Sequence, residues 1–161
     1  MAAEAMDAFT DRLADRAVRS VFIYTREAHP GENYRHHTSM DDKRRNARAF
    51  QSHSKVKRQI LLDTLSGDAH QGYGILPNMT WIMGRGGVIV YKGAWTGVED
   101  VEAAYNDYID GQARRTKDQL VPFYSERFSW RTRDDAGFDA GLERAGPQAV
   151  TDFYPGGKKK D

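Results

Sequence analysis

Short apolar runs alternate with amphipathic stretches along this chain. Residues 20–26 and 59–63 are rich in β-branched, aromatic and leucine side chains, and the first run is apolar at consecutive positions. Consecutive apolar positions are typical of an interior strand in a parallel sheet covered on both faces. Two further apolar runs, 79–84 and 87–92, flank a glycine-rich turn and predict a hairpin. The pattern therefore predicts four strands, which we expect to form one mixed sheet.

Helical periodicity fills the segments between these strands. Ser39, followed by Asp42 three residues later, predicts the start of one helix because this spacing is that of a capping box. The order of elements, with a hairpin before the last helix, predicts an α/β fold with a thioredoxin-like mixed sheet flanked by helices on both faces. The predicted helices are 3–18, 40–52, a short helix capped by Ser66 and ending near Gly72 or Gly74, and 98–112.

Residues 113–161 differ from the rest of the chain because large aromatic residues are interleaved with polar ones. A disordered tail is poor in aromatic residues. We therefore divide the chain into a domain over 1–112 and an extended arm over 113–161. The arm is expected to lie on its own domain or, preferably, on a partner protein. Its candidate partner-binding residues are the aromatic ones: Phe123, Tyr124, Phe128, Trp130, Phe138, Phe153 and Tyr154.

Composition excludes several classes of function. The chain has 161 residues and a formal net charge of +1, so overall electrostatics do not indicate nucleic acid as a partner. It has no cysteine, which excludes disulfides, thiolate metal ligands and a thiol nucleophile. We therefore expect no thiol-dependent turnover by the isolated chain. The absence of a long apolar run and of a signal-like N-terminus predicts a cytoplasmic protein that does not enter a membrane.

The end of the first predicted strand carries the candidate chemistry. Glu27 and His29 follow this strand directly, and Pro30 cannot extend the strand pairing. Open α/β sheets usually place their sites at the carboxyl ends of parallel strands. His29 is either an acid–base group or a histidine that is hydrogen-bonded in place, and the sequence leaves both readings open. No metal or cofactor is expected, because the histidines lack the spacing of a ligand set.

Four motifs resemble the iodothyronine deiodinases and their bacterial relatives. In this family the corresponding runs are similar to Y-I-E-E-A-H, V-V-D-T, Y-x-A-L-P and I-x-Y-x-G, and a glycine and a tryptophan precede the last helix, as Gly93 and Trp95 do here. The resemblance covers roughly residues 8–110 and implies a thioredoxin-like fold. The motifs of this chain are 24–30 (YTREAHP), 61–64 (LLDT), 73–77 (YGILP) and 88–93 (VIVYKG).

The resemblance also implies roles for particular residues. Glu27 and His29 match the family's glutamate and histidine, which are implicated in substrate binding and proton handling, and His37 matches a second family histidine. Arg26 stands where the family has another glutamate. Leu76 and Pro77 match the thioredoxin-class proline motif, whose peptide bond is usually cis. Glu27, His29 and His37 are therefore the candidate catalytic residues, and we expect them to share one shallow region.

The chain departs from the family at its beginning. Family members place a strand and a selenocysteine or cysteine directly before the helix predicted at 3–18, and this chain shows neither. Because that strand is central in the family, we expect a partner chain to complete the sheet in a hetero- or homo-oligomer. Two functions remain open. The chain is either a non-catalytic accessory subunit of an enzyme assembly, or an oxidoreductase or hydrolase component whose nucleophile or cofactor comes from another chain.

Overall fold

The computed structural model describes residues 2–116, 123–128 and 134–158, which form a mixed α/β fold. Within these residues there are two small sheets rather than one. The helices are α1 (Ala2–Asp11), α2 (Met40–His53), α3 (Asp68–Tyr73), α4 (Val98–Ala113), α5 (Asp135–Ala145) and α6 (Pro147–Phe153). The strands are β1 (Val21–Tyr24), β2 (Gln59–Leu62), β3 (Thr80–Met83), β4 (Ile89–Gly93) and β5 (Ser125–Arg127).

The first sheet is the parallel pair β1–β2, in which Val21 lies opposite Gln59 and Tyr24 opposite Leu62. Helix α2 covers one face of this pair, where the rings of Phe22 and Phe50 lie 5.0 Å apart. Side chains of the opposite face remain exposed, including Ile23 at 39%. The sequence predicted an interior strand covered on both faces, and this prediction is wrong for β1. The cause is that α2 supplies a layer on one face only.

The second sheet contains β3, β4 and β5. The predicted hairpin is confirmed, since β3 and β4 pair antiparallel, and β5 joins the far side of β4 as a parallel strand. Helices α1 and α4 cover this sheet and bury Tyr91 completely. The core around it contains Met6, Phe9, Val101, Ala104 and Tyr105.

The expectation of one continuous sheet is therefore wrong for the described residues. Among these residues, β1 pairs with β2 alone and β3 pairs with β4 alone. Each sheet has its own helical layer on one face. Helix α1 nevertheless ties the two together. Its Asp7 accepts hydrogen bonds from the backbone N–H of Lys57 and from Arg58 Nε, at 2.6 and 2.5 Å, just before β2.

In its described residues, the C-terminal region is folded into regular elements rather than extended. Residues of the arm form β5 and a pair of helices, α5 and α6, which we call the α5–α6 hairpin. The hairpin has its own small core of Leu142, Ala145 and Ala149. The sequence missed these helices because their apolar positions are few and separated by glycine and charged residues. The arm also contributes a strand to a sheet, since β5 pairs with β4.

Local signals had mixed outcomes. Ser39 caps α2 as predicted, because its hydroxyl accepts a hydrogen bond from the N–H of Asp42 at 3.1 Å. The short helix α3 is instead preceded by Gly67, whose φ of 79° lies in the left-handed region, so Ser66 is not its cap. The Leu76–Pro77 bond is trans rather than cis.

Candidate functional site

The carboxyl end of β1 brings together a glutamate, a tyrosine and a histidine. Tyr24 closes the strand, Glu27 follows three residues later, and His37 lies on the loop that enters α2. The three side chains are largely buried: those of Glu27 and His37 are 19% and 4% exposed. Parallel strands place polar groups at this edge because their carboxyl ends open into the loops that follow. The predicted proximity of Glu27 and His37 is confirmed.

Glu27 is held by two neutral donors. The Tyr24 hydroxyl donates to Glu27 Oε1, and Asn46 Nδ2 lies 3.5 Å from the same oxygen. Burial raises the pKa of Glu27 to about 7, against a smaller opposing effect of the Asn46 hydrogen bond. A carboxyl group with this pKa both holds and releases a proton near neutral pH. This is the property that a general acid–base group needs.

His37 stands beside this carboxyl group without a hydrogen bond of its own at Nε2. The Nε2 atom lies 3.7 Å from Glu27 Oε1, and no described residue lies within hydrogen-bond reach of it. Burial lowers the pKa of His37, and the positive charge of Lys43 lowers it further. A neutral imidazole next to a carboxyl group that holds and releases a proton near neutral pH forms a proton-transfer pair. A modest movement of either side chain would bring the two into hydrogen-bond distance.

His29 lies against the α5–α6 hairpin. Its ring meets those of Phe138 and Phe153 edge-on, with centroids 5.3 and 5.2 Å away. The structure thus brings Glu27 and His37 together and gives His29 different neighbours. A catalytic role for Glu27, His29 and His37 stays a prediction.

The loop between Glu27 and His37 is held by the α5–α6 hairpin. Asn33 donates from its backbone N–H to the carbonyl of Ala145 at 2.9 Å, and its side chain donates to the carbonyl of Arg144. The carboxylate of Glu32 accepts from the N–H of Gln148 in the first turn of α6. The hairpin therefore positions the loop that carries the site.

These contacts bear on the aromatic residues assigned to a partner. Phe138, Phe153 and Tyr154 contact one another within the hairpin, and Phe123 packs on Tyr108 of α4. Tyr124 and Phe128 remain 55% and 76% exposed beside β5. Trp130 lies outside the described residues. Partner binding by this set stays a prediction, and the exposed pair is its best-placed part.

Sequence reasoning missed two buried polar residues of α2. Lys43 and Asn46 are 2% and 7% exposed, and Lys43 Nζ donates to the carbonyl oxygens of Asp63 and Thr64 at 3.0 and 2.7 Å. Burial lowers the pKa of Lys43, partly offset by the charge of Asp63. The available signal was their spacing: Lys43 lies three residues after Met40, and Asn46 lies four residues before Phe50, on the face that α2 turns inward.

Asp63 has a structural role. Its carboxylate accepts hydrogen bonds from the backbone N–H groups of Thr64, Ala69 and His70. Burial opposes ionisation, but these bonds and the charge of Lys43 outweigh it and lower the pKa of Asp63. The buried Asp63 carboxylate thus ties the end of β2 to α3 and has its hydrogen-bonding capacity largely used.

The fold and site together define a mixed α/β protein with a buried glutamate–histidine pair at the edge of a parallel strand pair. Comparisons with known protein families, with curated proteins and with solved structures found no match. The deiodinase resemblance therefore stays a prediction from motifs. No group of three metal-ligating side chains is present among the described residues, and none of the described helices has the length and apolarity to cross a membrane.

Proposed function

We propose that this chain is a non-catalytic, thioredoxin-like accessory subunit that binds a protein partner within a larger enzyme assembly. The observation that carries the proposal is the division of the strands into two sheets. In the described part of the chain, β1 and β3 are each paired along one edge only. Unpaired strand edges are templates for pairing with another chain. A cytoplasmic location, as expected from the sequence, is part of the proposal.

Exposed apolar side chains next to these edges support the proposal. Val21 and Ile23 on β1, Leu61 on β2 and Met83 on β3 are each 38–46% exposed. Isolated exposed apolar residues are ordinary, but a group on strands that also have open edges is typical of an interaction surface. An added strand would satisfy the backbone groups of the edge and place its own side chains beside these on the same face.

The test compares association of the wild-type chain with that of a variant whose β1 edge is blocked. Ile23→Lys places a charge on the exposed face of β1, which is how natural edge strands discourage pairing. Ile109→Lys is the matched control, because Ile109 is 37% exposed on α4 rather than on a strand. We expect sedimentation at micromolar concentration, or co-purification from native extract, to detect a complex that Ile23→Lys weakens and Ile109→Lys does not.

Hydrogen exchange can contradict the proposal that the strand edges bind a partner. If the chain is a monomer in which the amides of β1 and β3 are already protected, the open-edge argument fails. Equal complexes for both variants would also contradict it. A folded spectrum of each variant serves as the control for misfolding.

The Glu27–His37 pair favours a second candidate function. In this alternative the chain is a component of an oxidoreductase or hydrolase, with its nucleophile or cofactor supplied by another chain. Glu27 and His37 would then hold and transfer protons at that group. The test is Glu27→Gln in the purified complex, where loss of turnover with unchanged complex formation favours this alternative, and unchanged turnover contradicts it.

A further inference from the structure

A cleft of about 400 Å³ opens at the carboxyl edge of β1 and β2, and neither Glu27 nor His37 lines it. Its walls come from the end of β1, the end of β2 and helix α3, which is where open parallel sheets place ligands. The volume lies within the range of small-molecule sites, roughly 300–1,000 Å³. The lining residues that matter below are Arg26, Asp63, Leu65, Ser66, Gln71 and Ile75.

The charges of this cleft favour an anion. Arg26 is exposed, and its guanidinium has no ion pair or hydrogen bond among the described residues. The buried ammonium of Lys43 lies behind the floor, on the carbonyls of Asp63 and Thr64. The Asp63 carboxylate is engaged by three backbone N–H groups, whereas the guanidinium of Arg26 is left for a ligand. A free arginine at a partly enclosed cleft is suited to a carboxylate or phosphate, which its planar fork binds through two parallel bonds.

A second carboxylate, that of the residue after the lining residue Gly67, is also engaged. The carboxylate of Asp68, at the start of α3, accepts a hydrogen bond from the hydroxyl of Ser66 at 2.7 Å. The backbone N–H of Asp68 donates a hydrogen bond to Thr64 Oγ1. Gln71 uses one donor of its side chain on the carbonyl of Ser66. The polar floor of the cleft is therefore organised by its own hydrogen bonds, and Arg26 is its unpaired charge.

An apolar wall completes the cleft. Leu65 and Ile75 are 49% and 69% exposed, although both are large aliphatic residues. Apolar side chains beside a few placed polar groups are characteristic of small-molecule sites. The wall would cover the body of a ligand while the arginine holds its charged end.

We propose that this cleft binds a compact organic anion, with its carboxylate or phosphate on Arg26 and its apolar body against Leu65 and Ile75. The site is separate from the open strand edges on which the proposed function depends, so either can fail without the other. It also differs from the Glu27–His37 pair, which is largely buried.

The experiment titrates the ¹⁵N-labelled full chain with four probes: benzoate, phenyl phosphate, inorganic phosphate and benzylamine. We expect benzoate or phenyl phosphate to cause saturable shifts of the amides of Thr25, Ser66, Gly67 and Gln71. The preferred one of the two identifies the charged end of the ligand. Benzylamine, which has the same ring and the opposite charge, should cause no saturable shift. Inorganic phosphate should bind more weakly than phenyl phosphate, since it lacks a body for the apolar wall.

Matched arginine variants separate a site from general charge attraction. Arg26→Gln should weaken binding by about tenfold or more, as expected for loss of a charge-assisted hydrogen bond. Arg48→Gln removes an exposed arginine of α2 outside the cleft and should leave binding unchanged. The spectrum of each variant reports its folding directly. The proposal is overturned if benzylamine binds as well as benzoate, if Arg26→Gln has no effect, or if the shifts centre on α2.

Discussion

The contact between the site loop and the α5–α6 hairpin predicts opposite effects for two glycine-to-alanine substitutions. Gly31 is buried where the loop crosses the hairpin. A Cβ atom added there would collide with the carbonyl oxygen of Ala145, and would lie 2.8 Å from its carbonyl carbon and 3.2 Å from Ala149 Cβ. The obstructing atoms are mainly backbone, which a change of rotamer cannot move. We therefore expect Gly31→Ala to destabilise the chain.

The magnitude follows from the size of the clash. Inserting a methyl group into a packed region costs about 1–3 kcal/mol. For a chain of this length each kcal/mol corresponds to roughly 2–4 °C in Tm. Gly141 is the control because it lies within α5 of the same hairpin, where an added Cβ meets nothing within 4 Å. Gly141→Ala should stabilise the chain by about 0.5–1 kcal/mol, because glycine is unfavourable inside a helix.

Thermal and urea unfolding of the two variants measure these effects, and hydrogen exchange locates them. If the Gly31→Ala substitution separates the loop from the α5–α6 hairpin without straining the rest of the chain, the amides of α5 and α6 lose protection in this variant alone. The reasoning is refuted if Gly31→Ala is as stable as the wild type and keeps the hairpin protected. It is also refuted if both alanine substitutions stabilise the chain or both destabilise it, because the contact with Ala145 would then not determine the sign of the change in stability.

Two further predictions concern buried carboxyl groups. Because the folded pKa of Glu27 is about 7 against an ordinary value of 4.5, its contribution to stability is complete below pH 4.5 and is lost as pH rises to 7. The wild type should lose stability on the order of 3 kcal/mol between pH 4.5 and 7.5, and Glu27→Gln should remove this loss. Unfolding free energies measured across this pH range test the prediction. A pH profile that is the same in both proteins would contradict the raised pKa. Asp7→Asn leaves buried Arg58 without its charged partner and should cost about 3–5 kcal/mol in urea unfolding. Asp11→Asn, which removes only the exposed ion pair with Lys57, should cost less than about 1 kcal/mol, and equal effects of the two would refute the difference in burial.

The sequence by itself determined the elements whose signals are local. The hairpin β3–β4 followed from apolar runs around a glycine turn, and the start of α2 followed from Ser39 and its spacing to Asp42. Both depend on residues within a few positions of one another, so neighbouring side chains suffice to specify them. The placement of Glu27 and His29 after the end of β1 was also a local prediction, since both residues follow this strand directly in sequence.

Tertiary structure decided the division of the sheet and the chemistry of the site. An apolar run specifies a strand but not its neighbours, and here β1 pairs with β2 while β3 pairs with β4. The pKa of Glu27 depends on burial and on Asn46, nineteen residues away in sequence. The buried ammonium of Lys43 donates hydrogen bonds to the backbone carbonyls of the two residues that follow β2. Strand pairing and the desolvation of these side chains depend on contacts between segments that are distant in sequence. The local pattern of residues therefore cannot specify them.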